Sequence, residues 1–362
     1  MRLVVFGLSL SSSWGNGHAT TYRSLLKAFA ARGHDIVFFE RNVPWYSGQA
    51  RDLADPSFCR LVFYEDLQDL DRHQADVAAA DAVMVGSYVP DGIALGAWVR
   101  EVAQGTTAFY DIDTPVTLAA LENGTCAYLD AASIPAYDHY MSFTGGPILD
   151  HLRDHYGSPD PRALYCCVDP NHYGPRAEPK RWDLSYLGTY SDDRQPVLER
   201  LLLDPARRAP YLRFVVAGPQ YPATIDWPAN VERFEHVGPQ DHAEFYGASR
   251  FTLNVTRDQM VKWGYSPSVR LFEAAACATP IISDIWPGIE TVFTPGESII
   301  LAASGDDVLP VLAMDDDAAR QAIGTSARVE ILARHTAAAR AAELDAILQH
   351  GGASPSTRVA ST

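Results

Sequence analysis

The chain has 362 residues, 47% apolar and 20% charged, with a formal net charge of -16. That length holds two ordinary globular domains, and the acidity argues against a general nucleic-acid or anionic-membrane surface, which would repel a protein with no basic run. Its cysteines, Cys59, Cys126, Cys166, Cys167 and Cys277, are odd in number and lack paired ligand spacing, so neither a disulfide framework nor a zinc site is expected and the thiols read as reduced ones of a cytoplasmic protein.

Residues 1–10 carry one arginine and then an apolar run. They fit a short signal peptide, but fit better a buried first strand feeding a glycine loop. No apolar run reaches the ~18 residues a transmembrane helix needs, which leaves only peripheral contact with a membrane open. Short apolar strands are predicted over 3–6, 36–39, 61–64, 82–85, 107–110 and 140–143, with helical patterns over 19–31, 69–80, 93–102 and 148–156 between them. Such alternation predicts parallel strands joined by right-handed crossovers, hence a doubly wound sheet.

Gly15-Asn16-Gly17-His18 lies between the first strand and its helix. Gly15 and Gly17 let the backbone turn tightly and approach a ligand. His18 falls at the helix start, where the positive dipole end keeps an imidazole neutral and able to act as a base; it could equally satisfy a loop carbonyl. The same residues half-fit a dinucleotide fingerprint, with Thr20 at the third glycine position and Glu40 as the ribose acid. That would make the chain an NAD-dependent oxidoreductase. Against this, the glycine pair follows its strand only after Ser9-Leu10-Ser11-Ser12-Ser13-Trp14, whereas a dinucleotide turn follows at once.

Asp111 and Asp113 close a strong apolar strand, where ligands collect in open α/β sheets. Asp113 could deprotonate an acceptor hydroxyl or hold a sugar; followed by Thr114 and Pro115, it could also be a helix N-cap. Asp111 reads as structural. His151 and His155 share a helix face at metal-binding spacing, but no third ligand lies near in sequence, so no metal is expected.

The Pro-rich, charged stretch 166–183 reads as an interdomain connection, after which strands are predicted over 184–187, 212–217, 231–234, 251–255, 280–283 and 298–301. Two such sheets in succession make a pair of Rossmann-like domains facing a cleft. Gly188, in Tyr186-Leu187-Gly188-Thr189-Tyr190-Ser191, would let the backbone close on a diphosphate while Arg194 adds positive charge. In Gly264-Tyr265-Ser266-Pro267-Ser268-Val269-Arg270-Leu271-Phe272-Glu273, Pro267 and Ser268 sit at a helix start, so free N–H groups near Ser266 and Ser268 would face an anion. Arg270 and Glu273 share a face of that helix, the arginine suited to phosphate and the acid to a ribose diol. An amphipathic core helix with a surface Arg/Glu pair is the plainer reading. Residues 315–350 look helical and 351–362 form a disordered tail by composition.

This last segment, with the following Ala274-Ala275-Ala276-Cys277-Ala278-Thr279-Pro280-Ile281-Ile282, resembles the donor-binding element of GT-B glycosyltransferases. More narrowly, the chain resembles the bacterial group related to the spore-maturation protein CgeB, through Phe109-Tyr110-Asp111-Ile112-Asp113-Thr114-Pro115, Ser142-Phe143-Thr144-Gly145-Gly146-Pro147, the Tyr186 segment and Leu253-Asn254-Val255-Thr256-Arg257. The resemblance implies an acceptor-side domain over 1–168, a donor domain over 169–335 and a helix over 336–350 crossing back to the first domain. It implies metal-independent transfer of a sugar from a nucleotide-diphosphate donor, its base left open by the sequence with UDP favoured, to a glycan, protein or small molecule. Arg270 and Arg194, with Arg257 and Lys262 behind them, would offset the leaving diphosphate. Tyr190 would line that site, and Gly218, His236 and Val237 would edge the nucleobase. A nucleotide-sugar epimerase on the same fold is the alternative, and a catalytically silent sugar-binding scaffold a further one. Two positions depart from the pattern: Tyr265 replaces a second Glu of the widespread retaining group, and Ala278 replaces a Gly, a change expected to matter little.

Overall fold

A computed structural model describes residues 1–14, 17–46, 48 and 51–350. Its first sheet contains β1 (Arg2–Gly7), β2 (Asp35–Arg41), β3 (Arg60–Tyr64), β4 (Ala82–Gly86), β5 (Thr106–Asp111), β6 (His139–Ser142) and β7 (Pro161–Ala163), in spatial order β3-β2-β1-β4-β5-β6-β7 with every pair parallel. The second contains β8 (Trp182–Leu187), β9 (Phe214–Ala217), β10 (Val231–Phe234), β11 (Ser249–Asn254), β12 (Ile281–Ser283) and β13 (Ile300–Leu301), ordered β10-β9-β8-β11-β12-β13 and again parallel throughout. Strand order therefore reverses beside β1 in one sheet and beside β8 in the other, which opens a crevice at the carboxyl ends there. Parallel strands covered on both faces are apolar at nearly every position, as Val4, Val5 and Phe6 of β1 and Val83, Met84 and Val85 of β4 are, all fully buried.

Two predicted elements differ. The pattern over 69–80 splits into a 3-10 stretch, Leu67–His73, capped by Asp66, and a short α-helix, Gln74–Ala78. β7 was not expected, because three residues beginning with proline are too short to show a period and suit only a sheet edge.

The end of the chain returns to its beginning. Helices Asp317–Arg334 and Ala337–His350 are parted at His335-Thr336, where Val168 bridges to Thr336. The second packs on helix His18–Ala30, and Asp345 there meets Arg32 at 2.7 Å and His34 at 3.4 Å. The last twelve residues, for which composition predicts a tail, lie outside the described ones. No described helix is long and apolar enough to cross a membrane.

Ala278 has φ +56°. An L-residue in that left-handed region costs roughly 1 kcal/mol that glycine avoids, so this replacement is less innocent than the sequence suggests.

Candidate active site

Loops leaving the carboxyl ends of both sheets enclose a cleft of about 490 Å³. From the first domain come Ser13 after β1, Gly17, His18 and Thr20 at the next helix, Tyr88 after β4, Asp113 after β5 and Phe143 after β6; from the second come Gly188, Gly218, His236 and Val237, Arg194, Arg257, Ser266 through Arg270, and Glu273. Three predicted residues are not among them. Lys262 stands exposed on helix Asp258–Trp263 and is not part of the cleft lining. Gly15 lies outside the described residues. Tyr190 does not line the cleft: its hydroxyl is turned to Asp192 at 2.7 Å and its ring to Tyr221.

The second-domain floor of the cleft is built by close backbone approach. A Cβ on Gly188 would stand 2.7 Å from both Arg270 Nη2 and Tyr186 Oη, and one on Gly218, which has φ +148°, would stand 2.0 Å from the Gly188 carbonyl. Both carbonyls are tied back: Gly188 accepts from Tyr221 Oη at 3.1 Å, Gly218 from Arg233 Nη2 at 3.1 Å. Arg233 is itself stacked between Tyr221 and Trp227. None of Tyr221, Arg233 or Trp227 carries a local sequence signal.

Helix Val269–Ala276 begins at this floor, and Ser268 occupies its N-cap without capping it. Its hydroxyl instead donates to Asn254 Oδ1 at 2.7 Å, which also accepts from Arg270 Nη1 at 3.1 Å. With Arg270 Nε on the Leu187 carbonyl at 2.7 Å and Nη1 on the Val255 carbonyl at 3.1 Å, the guanidinium is fixed over Tyr186. The N–H groups of Val269 and Arg270, at the first two helical positions, have no intrahelical acceptor, and both residues line the cleft. Ser266 is buried and joins Thr144 of the first domain at 2.8 Å. Tyr265, with φ +48°, sets its ring between Gly146 and Gly288, where no side chain would fit. It therefore seats the loop against the first domain.

Glu273 is not a surface partner of Arg270. It is 4% exposed and accepts from Tyr173 Oη at 2.8 Å and Tyr246 Oη at 3.4 Å, with His242 Nδ1 at 3.3 Å. Burial alone would raise its pKa, but His242, Tyr173 and Arg270 together outweigh that and hold it below the ordinary glutamate value. The carboxylate is thus ionised and aimed, at the wall of the cleft. Tyr173 comes from the interdomain connection, where sequence gave only a linker.

On the opposite wall Asp113 does occupy the N-cap of helix Thr114–Glu122, as its Thr-Pro neighbours imply, yet its side chain makes no capping bond. It accepts from Tyr88 Oη at 3.1 Å and lies 3.8 Å from Arg257 Nη1. Burial, only partly offset by Arg257, raises its pKa to about 6. Tyr88 has φ +63° and sets its ring edge-on to His18, with centroids 5.3 Å apart. Tyr88 thus touches both candidate bases from a left-handed backbone conformation. Burial lowers the His18 pKa to about 3, so the imidazole is neutral, as expected, through desolvation rather than the helix dipole. Asp111 is fully buried, held by Tyr140, Thr117 and the Asp113 N–H.

Residues 194–346 match the family model described as Glycosyl transferase-like. No curated protein sequence matches the chain. Among solved structures, sucrose-phosphate synthase from Thermosynechococcus elongatus superposes with a TM-score of 0.73 at 15% identity, covering 97% of this chain and 99% of that one. Anabaena HepE in complex with UDP and glucose gives 0.66 at 11%, covering 97% and 100%. An alpha-glucosyltransferase in complex with UDP-glucose and DNA containing an abasic site gives 0.71 at 14%, covering 96% and 99%. The fold is GT-B.

Within this GT-B fold Glu40 has a role far from the one a dinucleotide site would give it. Fully buried, it accepts from the N–H groups of Leu10 and Ser11 at 2.6 and 2.8 Å and from the Ser11 hydroxyl at 2.6 Å. The carboxylate pins the serine loop that leads to the cleft and is closed to a ribose. Glu40→Ala would strand those donors, so unfolding in urea is expected to show a loss of about 2–4 kcal/mol. His151 and His155 stack on each other, with His151 also against Trp263, and the described residues contain no group of three potential ligands.

Proposed function

We propose that the chain is a glycosyltransferase that takes a sugar from a nucleoside-diphosphate donor, UDP by preference, and passes it to a hydroxyl acceptor on the first-domain wall. One observation carries this reading: Arg194, Arg257, Arg270 and a helix N-terminus converge on one side of a cleft whose other side presents Asp113. The solved neighbours whose names include a nucleotide hold UDP or UDP-glucose, which favours that base. Likeness to the CgeB-related group is the finer placement, supported by the presence of Asp113, Phe143, Gly188 and Arg257 from its quoted segments in one cleft.

As the bond from the anomeric carbon to the phosphate oxygen breaks, its electron pair stays on the leaving diphosphate. Fixed cations and N–H groups stabilise that growing charge more than the ground state, and they do so without calling on a metal. The acceptor oxygen bonds to the same carbon. Its proton passes to Asp113 in an inverting reaction or to the leaving phosphate in a retaining one. Asp113 suits the base role better than His18, because a base with a pKa near 6 matches neutral pH and one near 3 is too weak. Glu273 would take the ribose hydroxyls. An epimerase needs carboxylates on both faces of the sugar; the acidic side chains among the described cleft residues are Asp113 and the buried Glu273.

Thermal denaturation with UDP, GDP, TDP and CDP sugars tests this. A ligand at 100 times its Kd stabilises the native state by about 2.7 kcal/mol, so a rise of several degrees is expected with UDP-sugars. No rise with any nucleotide sugar would remove the proposal.

A further inference from the structure

The two walls of the cleft differ in charge. All three arginines that line it stand on the second domain; along the first-domain wall, from Ser13 past His18, Tyr46 and Tyr88 to Asp113 and Phe143, no described lining residue is Lys or Arg. The residues of its loops outside the described set, Gly15, Asn16, Ser47, Gln49 and Ala50, carry no charge either. Arg23, the cation beside Ser13, is spent on a fork to Asp52 at 2.7 and 2.9 Å and on the Leu10 carbonyl at 2.8 Å. Arg257 reaches across, but between Asp113 at 3.8 Å and Asp193 at 3.3 Å. The Arg23–Asp52 pair is therefore closed on itself and offers no cation to the cleft.

We propose that this wall is an acceptor subsite for an uncharged polyhydroxyl compound, a neutral sugar, and that it discriminates against phosphorylated sugars. The inference rests on the glycosyltransferase reading. A sugar ring offers C–H faces, and the aromatic rings of Tyr46, Tyr88 and Phe143 supply apolar surface for them. Its hydroxyls meet polar groups at Ser13 and Thr20, and the attacking one meets Asp113, which accepts its proton if the reaction inverts. A phosphoryl dianion would lie between Asp113 and the donor's diphosphate, with no Lys or Arg among the described lining residues on its own side. Like charges and desolvated, unpaired groups are the means by which a site rejects a competitor.

The test measures UDP release from UDP-glucose by the full chain, above the acceptor-free rate, with D-glucose, D-mannose, D-galactose, D-fructose and their methyl glycosides, each hexose beside its 6-phosphate. Neutral sugars are expected to accelerate release, with kcat/KM at least about 100-fold above the phosphorylated partner. In Thr20→Lys, which places a cation on the wall, that ratio is expected to narrow. A phosphorylated sugar used as well as its neutral form overturns the proposal, and so does failure of every neutral sugar in protein whose melting temperature UDP raises. If UDP raises no melting temperature, the donor reading falls first and takes this one with it.

Discussion

Arg270→Ala is expected to weaken UDP binding by about 30- to 100-fold in calorimetry while leaving the melting temperature of the free protein within a few degrees. Charge-assisted hydrogen bonds from a fixed guanidinium to phosphate oxygens contribute roughly 2–3 kcal/mol. The guanidinium is fixed before any ligand arrives, by the Leu187 and Val255 carbonyls and Asn254, so little ordering entropy opposes its contacts. Its Nη2 faces the Gly188 floor, where a Cβ would come within 2.7 Å. Arg270→Lys should recover only a small part of the loss, because an ammonium cannot span those acceptors and reach forward at once. Affinity in Arg270→Ala within threefold of the parent would show that the diphosphate sits elsewhere in the cleft.

The alternation of apolar strands and helical patterns was legible because parallel strands buried on both faces are apolar runs that need no alternation to be seen. Strands such as β1, β2 and β4 follow such runs, whereas β7, three residues at an edge, does not. The part of the candidate site that was legible is local. Asp113 follows its strand directly, Gly188 and Gly218 sit at strand ends, and Arg270 and Glu273 are one helical turn apart. The supporting shell is not local and could not be read. Glu273 depends on Tyr173, a hundred residues away, and on His242; Gly188 depends on Tyr221; Asp113 depends on Tyr88 and Arg257. Each of these is an ordinary side chain whose role exists only once the two sheets fix their loops face to face. The misreadings have the same origin. Tyr190 is adjacent to the floor in sequence, but the chain turns its side chain outward to Asp192. Glu40 ends β2 as a ribose-binding acid would, but the serine loop folds over it and takes its lone pairs.

The largest effect on turnover is expected from Asp113→Asn, with UDP affinity nearly unchanged. General-base catalysis contributes about 100- to 10,000-fold, so kcat should fall by that amount if the reaction inverts, whereas a retaining reaction would leave most of it. The parent enzyme's kcat/KM should decline about tenfold per pH unit below roughly pH 6, where Asp113 takes up a proton, and the variant should lose that limb. The same substitution should make the protein more stable at pH 7.5. Asp113 has a folded pKa of about 6 against an ordinary 3.8, so it favours folding when protonated below pH 4 and loses that contribution as pH rises through 6. A shift of that size is worth about 2 kcal/mol after allowance for residual exposure, and asparagine can still accept from Tyr88 without carrying the buried charge. Urea unfolding at pH 4 and pH 7.5 separates the cases: a gain confined to the higher pH identifies a carboxylate kept ionised against its surroundings, as a base poised in a cleft must be. Equal stability at both pH values together with unchanged kcat would reduce Asp113 to the helix cap that its Thr-Pro neighbours suggest.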